Sequence, residues 1–259
     1  MTNARPFIVG LIPARLGATR FPGKPMAPIC GIPMIGHVYK RAILSRKLDM
    51  VAVATCDREI FDYIVSIEGK AVLTADTHER ASDRCAEAML KLEKELGHKI
   101  DIVVMIQGDE PLVNPSMIDQ SLVPILSGEA ELVNLYAIID DEEDYNDPNE
   151  IKVVMDKDHN ALYFSRRPIP FTNKFSQNEL SFKQVCIIPF KRENLIKFNS
   201  MKQTALEKHE SIDMLRVLEN GEKVKMVFSE FKTISVDNQD DLKAVEEIMP
   251  DDELFKNYK

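Results

Sequence analysis

The sequence predicts an α/β fold: a mostly parallel sheet that carries a smaller, β-rich subdomain. Three observations lead there. Short, nearly continuous apolar runs recur through roughly the first 110 residues, and segments with a helical apolar stripe separate them. After about residue 130 strand-like segments follow one another without long helices between them. Apolar strands alternating with amphipathic helices describe parallel strands buried on both faces.

The elements follow in order. "FIVGLI" (7–12) reads as the first strand and "PMIGHVYKRAILS" as the first helix. Ile35, Val38, Tyr39, Ala42 and Ile43 form the helix's inward stripe. "MVAVAT" (50–55) is the second strand, and "DREIFDYIVSIEG" a helix turning Ile60, Phe61 and Ile64 inward. "AVLTA" (71–75) is the third strand. "SDRCAEAMLKLEKEL" is a helix striped by Cys85, Met89, Leu92 and Leu96, and "DIVVMIQ" (101–107) is the fourth strand. "ELVNLYAII", "EIKVVMD", "ALYFSR" and "FKQVCIIPF" are the strand-like segments of the second half. A single helix is expected at 204–219, stopped by Asn220-Gly221. "KVKMVF" and "TISVD" are strands, and "QDDLKAVEEIM" closes the sequence as a helix. The domain expected is one, 1–259, with the β-rich subdomain at about 131–200.

At 259 residues and 44% hydrophobic the chain can bury a full core. A formal charge of −9 and a pI near 5.2 argue against a dedicated nucleic-acid partner. The four cysteines, at 30, 56, 85 and 186, form no CxxC pair, so buried free thiols are expected. No stretch approaches the roughly 20 apolar residues of a membrane span. Without a signal-peptide pattern at the start, the expected setting is cytoplasmic.

Against this acidic background the loop "LIPARLGATRFPGKPM" (11–26) gathers Arg15, Arg20 and Lys24 with Gly17 and Gly23. Glycines allow tight turns and close phosphate approach, and three cations can offset a triphosphate. Neither GxxxxGK[ST] nor GxGxxG is present, and a solvated basic loop is the plainer alternative. "QGDEPLV" (107–113) puts Asp109 and Glu110 just past the fourth strand, and "ISVD" ends in Asp237. Carboxylates there suit a hard cation such as Mg²⁺, although an acidic turn or a helix N-cap explains each one singly. Together with a basic loop they are what metal-assisted phosphoryl or nucleotidyl transfer requires. Most of the histidines (37, 78, 98, 159, 209) are expected to be surface or packing residues.

"IPARLGATRFPGKP", "HERASDRCAE", "VVMIQGDEPLV", "ALYFSRRPIPF" and "LRVLENGEKVKM…ISVD" together resemble the 3-deoxy-manno-octulosonate (Kdo) cytidylyltransferase family, over nearly the whole chain. The resemblance implies a nucleotide-diphospho-sugar transferase-like (Rossmann-like) fold and a homodimer formed through the β-rich part. It implies a lipopolysaccharide-biosynthesis enzyme that transfers CMP from CTP to a small sugar acid and releases pyrophosphate. Carried over by motif, Arg15 and Lys24 hold the triphosphate with Arg20 beside them, and Gly17, Ser82 and Gln107 belong to the nucleotide site. Asp109 and Asp237 take Mg²⁺; Arg15, Lys24 and Asp109 form the catalytic set. Arg84, Gln107, Gln184 and Asp213 face the acceptor.

The departures fall on the acceptor side. Where the family has a His-x-Gly-x-Tyr strand, this chain has Gln184, Cys186 and Ile188; where it has Glu-Gln before "LR", this chain has Asp213 and Met214. Each sugar hydroxyl left unpaired costs roughly 1–3 kcal/mol, enough in sum to change substrate preference. A Kdo or related ulosonic acid substrate, a different acceptor, and a non-catalytic CTP-binding protein are the readings left open. On the expected 204–219 helix, Glu207, Glu210 and Asp213 recur every third residue, either as a solvated face or as contacts to an altered sugar.

Overall fold

The computed structural model describes residues 5–17, 21–172, 175 and 181–259. The chain folds into two compact units, 1–119 with 233–259 and 120–232.

The first unit is the predicted α/β alternation: β1 (Ile8–Ala14), α1 (Met34–Ala42), β2 (Met50–Thr55), α2 (Arg58–Ser66), β3 (Ala71–Leu73), α3 (Ala81–Leu96) and β4 (Ile102–Ile106). Within this unit the strands run in the order β4-β1-β2-β3, every pair parallel. All seven residues of β1 are buried, as a central strand covered on both faces requires. The chain leaves β1 towards β2 and β3, then returns to lay β4 on the other side of β1. The strand order therefore reverses between β1 and β4, and in such sheets the crevice beyond the carboxyl ends at that point is where ligands bind.

The helical stripes bury much as the sequence predicts. Ile35, Val38, Tyr39 and Ala42 are buried, whereas Ile43, just past the end of α1, is half exposed. Ile60 and Ile64 are buried; Phe61 is only partly so, with the Arg58 guanidinium 5.0 Å from its ring centre. Among the cysteines, all free, only Cys85 is buried, so the expectation of buried thiols fails at the other three.

The second unit contains β5 (Val133–Ile138), β6 (Lys152–Met155), β7 (Ala161–Ser165), β8 (Phe182–Val185), β9 (Ile187–Lys191), α4 (Arg192–Ser200), α5 (Ala205–Glu210), α6 (Met214–Glu219) and β10 (Lys225–Phe228). Its sheet runs β10-β5-β8-β6-β7, antiparallel except for the β10–β5 pair. The helix expected at 204–219 is broken. Ser211 takes a left-handed conformation, φ 58°, and separates α5 from α6. The cause is a buried ion pair: Glu207, fully buried, accepts from Arg216 Nη2 at 2.5 Å and Nε at 2.8 Å. Nine residues along one continuous helix would turn these side chains to roughly opposite faces, at about 100° per residue. Only a chain reversal joins them.

The chain then returns to the first unit. The segment expected as the strand "TISVD" is extended but joins no ladder; Val236 N–H donates to Asp109 O at 3.0 Å. α7 (Gln239–Ile248) starts at Asn238, whose side chain accepts from the Asp240 and Asp241 amides, and α8 (Glu253–Lys256) follows. Among the described residues no helix is long and apolar enough to cross a membrane.

Candidate functional site

The loops that leave β1 and β4 meet, with the segment before α7, around a cavity of about 320 Å³ in the first unit. Arg15, Lys24, Arg84, Gln107, Asp109 and Asp237 all line it. Of the other nucleotide-side residues expected, Ser82 is fully buried and outside the lining. Arg20 lies outside the described residues. Gly17 is exposed, with nothing within 4 Å of where a Cβ would stand and no positive φ, so the tight conformation expected of it is absent. Gly23 does have one. Its φ is 73°, in the left-handed region that favours glycine, and its N–H closes the loop onto Leu16 O at 3.0 Å.

Gly23 is the N-cap of a short turn, Lys24–Met26, that aims Lys24 into the cavity. Lys24 Nζ donates to Asp109 Oδ2 at 2.8 Å and Val236 O at 2.7 Å, and lies 3.5 Å from Asp237 Oδ1. Two aspartates from distant parts of the sequence thus share one cation. Asp109 is placed by the turn after β4; Asp237 is held by its own N–H, which donates to Asp241 Oδ2 at 2.8 Å. Hard oxygens around a point already holding a positive charge fit Mg²⁺, which takes few protein ligands and completes its shell with phosphates and water. No cluster of three or more His, Cys, Asp or Glu able to hold a metal occurs among the described residues; Asp109 and Asp237 meet as a pair.

Arg84 is 3% exposed. Its Nη1 donates to Thr74 Oγ1 at 2.5 Å, while its buried Nη2 has no partner. An unsatisfied buried donor costs roughly 1–3 kcal/mol. His78 also lines the cavity. Its Nε2 meets the Glu87 carboxylate. Burial would raise the Glu87 pKa, but Lys91, the Ala75 amide and His78 together hold it down at about 2. His37, by contrast, is a packing histidine as expected, fully buried. No periodicity or spacing in the sequence sets His78 apart from the other histidines. Gly108 has one signal in the sequence, a glycine directly between Gln107 and Asp109 at a strand end.

Of the acceptor-side candidates, Arg84 and Gln107 lie in the first unit and Gln184 and Asp213 in the second. Asn134 is fully buried and spends its Nδ2 hydrogens on Val185 O (2.8 Å) and Leu135 O (2.7 Å). Its Oδ1 accepts from Gln184 Nε2 at 2.5 Å, which fixes the Gln184 amide with Oε1 still able to accept. Cys186 and Asp213 are partly buried; Ile188 and Met214 are buried. Glu207 and Glu210 do not form a solvated face. Glu207 pairs with Arg216, and Glu210 accepts from Tyr163 Oη, Ser165 Oγ and the Arg166 amide at 3.2, 3.1 and 2.9 Å.

A family model described as Cytidylyltransferase matches residues 9–224. A 3-deoxy-manno-octulosonate cytidylyltransferase of Trichlorobacter lovleyi is 40% identical over 93% of this chain and 98% of its own length. An 8-amino-3,8-dideoxy-manno-octulosonate cytidylyltransferase of Shewanella pealeana is 41% identical over 91% of this chain and 96% of its own. The solved structure of a CMP:2-keto-3-deoxy-manno-octonic acid synthetase complexed with CTP superposes with a TM-score of 0.85 at 32% identity, covering 95% of this chain and 99% of that one. A chain that matches along this length, with the motif residues meeting at the switch point of its sheet, belongs to the cytidylyltransferase family, among the 3-deoxy-manno-octulosonate cytidylyltransferases.

Proposed function

We propose that this protein transfers CMP from CTP to the anomeric hydroxyl of an octulosonic sugar acid, releasing pyrophosphate, and that Asp109 and Asp237 hold the Mg²⁺ it needs. The observation that carries the reading is the single Lys24 ammonium bound by both aspartates on the cavity wall. When bound, the ion would polarise the α-phosphate and lower the pKa of the attacking hydroxyl. Arg15 and Lys24 offset the charge of the triphosphate and of the departing pyrophosphate. The unpartnered Nη2 of Arg84 offers a donor to the nucleotide or to the acceptor's carboxylate. Gln107 borders the same cavity, and Gln184 and Asp213 serve the acceptor. A cytoplasmic homodimer completes the reading.

The test is pyrophosphate release from CTP, Mg²⁺ and an octulosonic acid. Asp109→Asn is expected to lower turnover by about 100-fold or more, since it removes one of two metal carboxylates. Full turnover by that variant would remove the metal assignment.

A different acceptor is favoured by one observation: Ile188 and Met214, where the family supplies hydrogen-bonding side chains, are buried and apolar. Assaying 3-deoxy-manno-octulosonate beside its 8-amino analogue decides between the substrates named for the relatives. A protein that only binds CTP would be stabilised by the nucleotide and turn over neither.

A further inference from the structure

Lys24 is placed to grip phosphates, yet its ammonium is engaged elsewhere. Nζ has three protons, and three oxygens surround it: Asp109 Oδ2 at 2.8 Å, Val236 O at 2.7 Å and Asp237 Oδ1 at 3.5 Å. The side chain is only 13% exposed, and those of Asp109 and Asp237 are 27% and 20% exposed. A cation committed in this way cannot also bind a triphosphate, and while it stays the two carboxylates are not open to a divalent ion. Both tasks require it to move. The geometry suits movement. The backbone of Lys24 is fixed by the turn it begins, between Gly23 and Pro25, while its four-carbon stem can swing a compact charge across the cavity.

We infer that Lys24 is a resident counter-ion of the Asp109–Asp237 pair, displaced when a divalent ion enters and thereby released to the triphosphate. Lys24 lies between the carboxylates of Asp109 and Asp237 in a partly buried wall. Its ammonium offsets part of their charge, and a metal has to compete with a covalently tethered cation. CTP relieves that competition by giving the displaced ammonium new oxygens. Metal and nucleotide then strengthen each other's binding, by the same factor in both directions. This rests on the reading that Asp109 and Asp237 are the metal ligands, and it adds the order built into the site: metal alone binds weakly, metal with CTP tightly.

The experiment counts free Mn²⁺ by electron paramagnetic resonance in titrations of the whole protein, with and without CTP and with no acceptor present. Lys24→Gln and Lys24→Met are expected to bind Mn²⁺ roughly tenfold or more tightly than the wild type when nucleotide is absent, because a unit charge a few ångströms away is gone. CTP should improve Mn²⁺ affinity much less in the variants than in the wild type. Melting adds a second readout: Mn²⁺ should raise the midpoint of either variant more than that of the wild type. Variants that bind Mn²⁺ no tighter than the wild type, while CTP-dependent Mn²⁺ binding persists, would overturn the exchange and leave the metal site standing. Absence of Mn²⁺ binding in every protein, with or without CTP, would overturn both.

Discussion

Gly108 stands between Gln107 and Asp109, and a Cβ there would lie 2.9 Å from the Pro13 carbonyl oxygen and 3.3 Å from Ile35 Cδ1. The nearer obstacle is backbone of the central strand, which cannot turn aside as a side-chain tip does. Its lack of a side chain therefore lets the turn after β4 close onto the end of β1 and sets where Asp109 points. Gly108→Ala is expected to push this turn outward. Overpacking of this kind costs about 1–3 kcal/mol, visible as a lower melting temperature, and pyrophosphate release should fall further than the lost stability explains. Turnover that survives unchanged in the folded variant would mean that Asp109 tolerates the displacement. The neighbouring Glu110 is a different kind of acid. It is 5% exposed and accepts from Ser235 Oγ at 2.9 Å, which ties the β4 turn to the segment carrying Asp237.

Two elements owe their form to groups that must not be buried alone. α5 and α6 are separate because Glu207 needs Arg216, whose guanidinium also donates to Phe198 O at 3.1 Å and lies over the Phe198 ring at 4.4 Å. Arg216→Met leaves the Glu207 carboxylate buried without its cation and should cost about 3–5 kcal/mol in denaturant unfolding. Adding Glu207→Met is expected to recover much of that, as apolar pairs replace buried ion pairs well. The second element is the segment 249–258, which packs against α1. His37 Nε2 is 2.8 Å from Ile29 O and so must carry the proton; Nδ1 then accepts from Tyr258 Oη at 3.0 Å, which itself accepts from Arg41 Nε at 2.8 Å. Burial, followed by Arg41 and Lys40, lowers the His37 pKa despite the opposing pull of the Ile29 carbonyl. The unfolded chain therefore binds a proton at His37 more readily than the folded one does. Its contribution is complete above about pH 6.5 and is lost as pH falls from there towards the depressed folded value. Melting across pH 5 to 8 should show a decline below about 6.5 that His37→Gln flattens; an equal decline in both proteins would assign it to other groups. Met249 and Phe255 of this segment share a core with Phe21 and Met34, which line the cavity, so the site's loop rests on it.

Across the whole molecule, what the sequence made legible was whatever is local. Alternating apolar runs and 3.6-residue stripes depend on near neighbours, so β1 to β4 and α1 to α3 could be read directly. The break at Ser211 could not, because a nine-residue ion pair decides it against an unbroken helical pattern. The meeting of Asp109 with Asp237 is suggested by two carboxylates at strand ends and made specific by the resemblance, since no spacing rule links a turn after β4 to an extended segment far along the chain. His78 stayed hidden for the same reason. Its partner Glu87 and its place on the cavity wall are tertiary facts. Every residue lining the cavity belongs to the first unit, although 120–232 interrupts that unit in sequence. That arrangement makes a prediction about where ligand stabilisation is felt. CTP with Mg²⁺ at about 100 times its dissociation constant should add roughly 2.7 kcal/mol to the state that binds it. Amides at the ends of β1 and β4 and in the Lys24–Met26 turn are expected to exchange with solvent deuterium more slowly once CTP and Mg²⁺ are added. Amides of β5 and β8, whose hydrogen bonds lie wholly inside the second unit, should keep their rates until an acceptor is supplied. Equal slowing in both units by the nucleotide alone would show that the second unit already takes part in holding CTP, and would move Gln184 from the acceptor's side of the reaction to the nucleotide's.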